Sequence, residues 1–285
     1  MRVQVLAVPY DSGVRGVRMG LGPEHLLGRG LAATLAKRGH EVTVETVEIP
    51  TASPHLEVGG AFQLNRLLAA RVQAAVAAGL FPVVLAGNCN TAAGTLAGIG
   101  PEGTGVLWFD SHADLNTPET TGSGFFDGMA LAMITGRCWS TLSATIPGFV
   151  PVPDGKVVLA GARDFDPAEE ALLAVSGFGV VPAVSLRGDA EELGQALSRL
   201  AARVRRVYVH LDLDVLDRDE APANQFAASD GPTVGAMAEV LRVVAATIPV
   251  AALAITAYDP AFDRESRAAD AAVTLVGTVL DAVRP

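Results

Sequence analysis

Two short runs place acids where apolar strands should end. The first is Val106-Leu107-Trp108-Phe109-Asp110-Ser111-His112-Ala113-Asp114. Asp110, His112 and Asp114 are spaced two apart, and while a backbone stays extended such positions point to one face. Two carboxylates and an imidazole on a buried strand need something to neutralise them. A divalent cation would do so; a polar loop that merely opens with Asp is the competing reading. The second run is Val207-Tyr208-Val209-His210-Leu211-Asp212-Leu213-Asp214-Val215-Leu216-Asp217. Asp212 and Asp214 face the same way as His210, and carboxylates so placed either share a proton or hold a metal. Asp217 lies past the strand end and reads as a turn or cap acid.

Together the runs supply Asp110, His112, Asp114, Asp212 and Asp214. Four carboxylates and one imidazole are too many for one zinc ion, and the oxygen bias suits Mn²⁺. Two ions sharing bridging carboxylates fit the count. Such ions sit roughly 3.5–4 Å apart and activate a water between them. A metal-free carbohydrate or phosphate enzyme working through an Asp pair is a weaker alternative, since it has no need of the His112 spacing.

These residues must be carried by a scaffold, and the chain has the pattern of one. Strand candidates are Val3–Pro9, Glu41–Ile49, Phe81–Ala86, Gly105–Asp110, Lys156–Gly161, Val180–Val181, Val207–Leu213 and Val250–Ala257. Helix-length segments lie between most of them: Glu24–Arg38, Ala61–Ala78, Pro167–Val175, Glu191–Val204 and Thr233–Thr247. Gly39 after Lys37 and Arg38 makes a basic last turn with a glycine stop. Asp166 before Pro167, with Glu169 following, is a helix start. Apolar strands alternating with helices predict a mainly parallel sheet of about eight strands covered on both faces, a three-layer α/β/α arrangement. In such a sheet ligands sit beyond the carboxyl ends of the strands, which is where both acid runs fall. No linker or repeat interrupts the pattern, so residues 1–285 are expected to form a single domain.

Composition sets the outer bounds. Twenty-one Lys and Arg against thirty-one Asp and Glu leave a formal charge of −10, which argues against nucleic acid or an anionic membrane as partner. Half of the residues are apolar and 18% are charged, enough to build a large core. The thirty uncharged residues 72–101 contain Gln73, Pro82, Asn88, Asn90 and several glycines. They read as a helix end, a buried strand, a polar loop and a second helix start rather than a membrane span. Val3–Val8 is too short for a signal segment and is taken as a strand. Two cysteines, Cys89 and Cys138, make no disulfide framework and point to a reducing, cytoplasmic setting. A small-molecule substrate is the expected partner, and nothing in the pattern sets an oligomeric state.

The sequence resembles the arginase/agmatinase family, the ureohydrolases. The family's D-x-H-x-D stands as Asp110-Ser111-His112-Ala113-Asp114, its paired acids as Asp212-Leu213-Asp214, and its G-x-R-D-x-D-P as Gly161-Ala162-Arg163-Asp164-Phe165-Asp166-Pro167. The resemblance implies an α/β/α fold and a binuclear manganese site that hydrolyses a C–N bond of a guanidino-like or amidino-like group. It implies that Asp110 and Asp212 bridge the ions, that His112 and Asp214 complete one, and that Cys89 and Asp114 complete the other. Asp114 would also hold the nucleophilic hydroxide. In arginase-type members an Asn and a Ser read an α-carboxylate and an Asp reads an α-amino group; these match Asn116, Ser123 and Asp166.

Three positions depart from the family. Cys89, in Ala86-Gly87-Asn88-Cys89-Asn90, stands where the first His ligand is expected. A thiolate can ligate, and it moves metal preference toward Zn²⁺ or Fe²⁺ without forbidding Mn²⁺. A Cys here resembles the branch that hydrolyses N-hydroxy-arginine; the bland alternative is a small buried side chain. Asp127 replaces the His of the proton-shuttle motif, and either moves protons with a raised pKa or is a loop acid. Ala257 occupies the position of the guanidinium-binding Glu, with Asp259 nearby before Pro260. Alanine cannot pair with a guanidinium, so the expected substrate keeps an amino-acid end but presents another group: amide, amidine, ureido, hydroxyguanidine or N–N. The rival expectation is a metal- or ligand-binding protein on this fold with little catalysis.

Overall fold

The computed structural model describes residues 1–50, 57–188 and 191–283. Ten strands are present among them. They are β1 (Arg2–Val8), β2 (Tyr10–Asp11), β3 (Val14–Arg15), β4 (Glu41–Thr46), β5 (Phe81–Ala86), β6 (Thr104–Phe109), β7 (Val157–Ala160), β8 (Gly179–Val181), β9 (Arg206–Asp212) and β10 (Val250–Thr256). Eight of these form one sheet in the order β4-β1-β5-β10-β9-β6-β7-β8, and every pairing in it is parallel. The short hairpin β2–β3 lies outside it.

The sheet is buried on both faces because successive side chains point opposite ways. Val83 and Leu85 join Leu107, Phe109, Val207, Val209 and Leu211 in one core cluster. Helices Glu191–Ala201, Val234–Thr247 and Arg267–Ala282 close that side. Val84 and Ala86 join Val106, Trp108 and Tyr208 in a second cluster, capped by helices Glu57–Ala77, Ala92–Ile99 and Ala130–Ile134. Each fully buried Val or Leu side chain contributes about 1.5–3 kcal/mol. The architecture is the expected three-layer α/β/α with a parallel sheet of eight strands. No helix among the described residues is long and apolar enough to cross a membrane.

One expected helix differs. Glu24–Arg38 is two helices, Gly22–Gly28 and Leu31–Lys37. Gly30 between them has φ 86°, a left-handed conformation that glycine adopts without penalty and that ends the first helix. The Pro167–Val175 helix starts as expected. Asp166 caps it, and the backbone N–H of Asp166 donates to the Glu169 carboxylate at 2.9 Å, completing a capping box.

Strand order decides what meets at the top of the sheet. The chain lays down β5, leaves for β6, β7 and β8, then returns to fill the gap with β9 and β10. The carboxyl ends of β5, β10, β9 and β6 therefore stand side by side, at the crossover where open α/β sheets bind ligands.

Candidate metal centre and active-site cavity

The first acid run is only partly extended. β6 ends at Phe109, and Asp114 takes the left-handed conformation with φ 52°. Asp110, His112 and Asp114 converge through a turn rather than through strand alternation. Such strain in a non-glycine residue costs about 1–3 kcal/mol and gathers at functional sites. The second run also turns early: β9 ends at Asp212, and Leu213–Val215 form a single 3₁₀ turn. The Asp214 N–H donates to Asp212 Oδ1 at 2.9 Å, which fixes the two acids relative to each other.

Two overlapping donor groups result. Cys89, Asp110 and Asp114 each bring one ligand-type atom to within 4.8 Å of the others, and so do Asp110, His112 and Asp214. Asp110 belongs to both. Asp212 joins at the side, with its Oδ2 3.0 Å from Cys89 Sγ. All four acids are buried.

The electrostatics follow from that burial. Desolvation, reinforced by neighbouring carboxylates, holds Asp114 and Asp212 well above the usual carboxylate range. Desolvation and the same acids push the Cys89 thiol up. Asp110 is raised mainly by burial, against the opposing pull of His112. Burial disfavours the His112 imidazolium, but Asp214 and Asp110 outweigh it and raise its pKa to about 10. Asp214 alone is lowered: the charge of His112 and donors from Ser111 and Asn224 overcome its desolvation. Among the described residues, His112 is the single cationic side chain lining this cavity. Divalent cations fit such a donor set, because they supply the positive charge that the buried acids lack. Asp114 Oδ2 is buried with no hydrogen-bond partner, a lone pair left for such an ion.

Supporting contacts hold the donors in place. Trp108 Nε1 donates to Asp110 Oδ2 at 3.0 Å, and the His112 N–H donates to Asp110 Oδ1 at 2.8 Å. Ser111 Oγ donates to Asp214 Oδ1 at 2.7 Å, and Asn224 Nδ2 donates to its Oδ2 at 3.2 Å. Arg163 spreads its guanidinium over the carbonyls of Gly161, Asp214, Val215, Leu216, Ala228 and Ser229. It thereby ties the end of β7 to the turn that carries Asp214. None of these partners stands out in sequence except Arg163, which lies in a motif but with no indication of its contacts.

Cys89 follows β5 directly. A Cβ on Gly87 would lie 2.2 Å from the Tyr10 carbonyl oxygen, so only glycine lets the strand end pack under the hairpin. Asp127 then grips the loop. Its Oδ2 accepts from the Cys89 N–H and Asn88 Nδ2, both at 3.0 Å; its Oδ1 accepts from the Asn90 N–H at 2.9 Å and Asn90 Nδ2 at 3.2 Å. Burial lifts its pKa to about 7 against those hydrogen bonds.

Cys89, His112, Asp114, Asp212 and Asp214 line a cavity of ≈ 280 Å³. Asn116, Ser123, Asp164, Asp166 and Glu169 also line it, and among the described residues no Lys or Arg does. Asn116 Nδ2 donates to Asp166 Oδ2 at 2.7 Å. Ser123 Oγ accepts from the Phe125 N–H at 3.1 Å. Phe125 and Phe226 stack at the mouth with ring centroids 5.5 Å apart. Ala257 is in the wall with φ 59° and is 4% exposed. Asp259 does not replace a carboxylate there: its Oδ1 accepts from the Ala261 N–H at 2.9 Å, within its own turn.

Comparison with known proteins agrees with this geometry. The family model described as Arginase family matches residues 1–281. The chain is 31% identical to the arginase of Brevibacillus brevis and 28% identical to that of Bacillus caldovelox, with 97% of each chain covered in both cases. It superposes on the crystal structure of arginase from Bacillus subtilis with a TM-score of 0.89, 27% identity and 98% of each chain covered. The chain belongs to the arginase family and is a hydrolase of that family.

Proposed function

We propose that this single-domain chain, residues 1–285, uses two divalent metal ions, Mn²⁺ by preference, to hydrolyse a non-peptide C–N bond in a small amino-acid-derived substrate. Cys89, Asp110, His112, Asp114, Asp212 and Asp214 would hold them, with Asp110 common to the two donor groups. The observation that carries this reading is the pair of donor groups sharing Asp110, whose other members line an acidic cavity. Cys89 makes Zn²⁺ or Fe²⁺ acceptable alternatives. Two free buried cysteines favour a reducing, cytoplasmic compartment.

Bound at these residues, the ions would supply Lewis-acid activation of water at neutral pH. The chain's own groups do the rest. Asp114, with its unpartnered oxygen, orients the attacking water and takes its proton. Asp127 or Asp114 returns a proton to the departing amine. Asp166 reads the substrate's ammonium group, and Asn116 and Ser123 read its carboxylate. The acidic lining and the lack of Lys or Arg favour a cationic end. The Ala257 methyl leaves the far wall without a carboxylate, which disfavours an ordinary guanidinium and favours an amidine, amide, ureido or hydroxyguanidine group with fewer N–H groups to satisfy.

The test is a screen of Mn²⁺-loaded protein against arginine, N-hydroxy-arginine, agmatine, guanidinobutyrate, formiminoglutamate and ureido amino acids, reading urea, hydroxyurea, formamide or ammonia. The expected result is turnover of a non-guanidino or hydroxyguanidino amino acid above arginine. Preferred hydrolysis of arginine would sink the assignment of Ala257. Metal content of one ion or none per chain, with no turnover, would favour the ligand-binding alternative. With the substrate in hand, Asp127→Asn should lower kcat and remove the fall in rate near its pKa; an unchanged pH profile would make Asp127 a loop clamp alone.

A further inference from the structure

In the middle of the sheet, β9 carries two polar side chains where an apolar strand would suffice. His210 is fully buried and stacks on Trp108 with ring centroids 3.6 Å apart and planes 10° apart. Tyr208, also fully buried, has its hydroxyl 2.9 Å from His210 Nδ1. His210 Nε2 lies 3.2 Å from Thr256 Oγ1, and Thr256 Oγ1 lies 3.1 Å from Cys89 Sγ. The register of β9 and β10 pairs Thr256 with Asp212, so the line of contacts runs up the sheet and ends on the sulfur. Three polar groups buried in a core are costly unless each is satisfied; here His210 and Thr256 are satisfied along this line, and Tyr208 has Thr95 as a second partner.

We propose that Thr256 is a positioning residue that donates its hydroxyl hydrogen to a metal-ligating Cys89 thiolate, and that Tyr208 and His210 aim that hydrogen. This rests on Cys89 being a ligand, as read above. A neutral imidazole has one donor and one acceptor nitrogen, and each ring nitrogen of His210 has one hydroxyl partner, Tyr208 at Nδ1 and Thr256 at Nε2. The line can therefore run in two directions. If the sulfur is a thiol, it can donate to Thr256 and the hydrogens point toward Tyr208. If the sulfur is a thiolate, it only accepts. Its other polar side-chain contact, Asp212 Oδ2, accepts only once it too is ionised. Thr256 then supplies the donor, His210 Nε2–H donates to Thr256, and the Tyr208 hydroxyl donates to Nδ1. A hydrogen bond to a ligating thiolate draws charge from the sulfur and fixes its direction, as outer contacts do at metal sites generally.

The experiment loads the purified full chain with Co²⁺ alone and records the sulfur-to-cobalt charge-transfer absorption and the Co²⁺ affinity. The parent should show the band and Cys89→Ser should lose it. Thr256→Val, close in shape, should move the band to lower energy and weaken Co²⁺ binding by about 10- to 100-fold. Thr256→Ser should restore both. Tyr208→Phe, which removes only the far hydroxyl, should shift the band the same way but less. If the parent shows no thiolate band, the ligand reading of Cys89 fails and this proposal with it. If the band is present and Thr256→Val leaves its energy and the affinity unchanged, or Thr256→Ser behaves like Val, the proposal alone is overturned.

Discussion

On the β6–β9 side of the donor cluster, both oxygens of Asp110 and both of Asp214 accept hydrogen bonds from Trp108, His112, Ser111 and Asn224. His112 adds a positive charge there, and Asp214 is the one acid of the cluster pulled below its ordinary pKa. Around Cys89, at the end of β5, Cys89, Asp114 and Asp212 are all raised, and Asp114 keeps an unpartnered oxygen. That side also carries the three departures from the family pattern, Cys89, Asp127 and Ala257. The contrast teaches that Asp214 and His112 hold their charges without an ion, whereas Asp110, Asp114, Asp212 and Cys89 would need one to hold theirs. The half that differs from the family is the half whose chemistry is free to be changed.

The largest effect is expected where the halves meet. Asp110→Asn should empty both metal positions and lower turnover by at least about 10³-fold, the equivalent of several kcal/mol of lost Lewis-acid stabilisation. Retention of metal at the parental level by mass spectrometry would show that the halves do not share this acid. A smaller effect should separate them: Cys89→Ser should lower bound metal to about one ion per chain, and a chelator should strip the ion beside Cys89 before the one beside His112. Loss in the reverse order would invert the comparison.

The smallest effect is on stability. Asp114 and Asp212 have folded pKa values above the unfolded value of about 3.9, so the folded state without metal binds more protons than the unfolded state. Their contribution is present at low pH and is lost as pH rises through the folded values. The Tm of chelator-treated protein should therefore fall as pH rises above the unfolded carboxylate value of about 3.9, and Mn²⁺ should recover most of the loss at the upper end. A metal-free Tm that rises with pH above that value would contradict the assignment of uncompensated acids beside Cys89.

The scaffold was legible where its signals were local. Apolar runs such as Phe81–Ala86 and Val207–Leu213 mark strands to within a residue or two, because a strand buried on both faces has no reason to carry charge. The hairpin Tyr10–Asp11 and Val14–Arg15 has two residues per strand, too few for a pattern. The helix break at Gly30 was hidden because Leu27, Leu31 and Leu35 keep helical spacing across it. The acid cluster was visible in its residue types, but the extended geometry expected of it holds only up to Phe109 and Asp212. Beyond those points Asp114 and Asp214 are placed by a left-handed turn and a 3₁₀ turn, set by partners far along the chain. Trp108, Ser111, Asn224 and Thr256 have ordinary identities, and their roles exist only once four strand ends are brought side by side.

The return of β9 and β10 to the centre of the sheet has a consequence for how the molecule is made. A ribosome has built β5 and β6 long before the two strands that separate them. Until then the partly made chain presents open strand edges at the place where its sheet will later be most buried. Closing that gap requires contacts between distant segments, which form slowly and leave the intermediate prone to association with other chains. With the ligands proposed above, no metal position would be complete before Asp212 and Asp214 arrive, so ions would stabilise only a nearly finished chain.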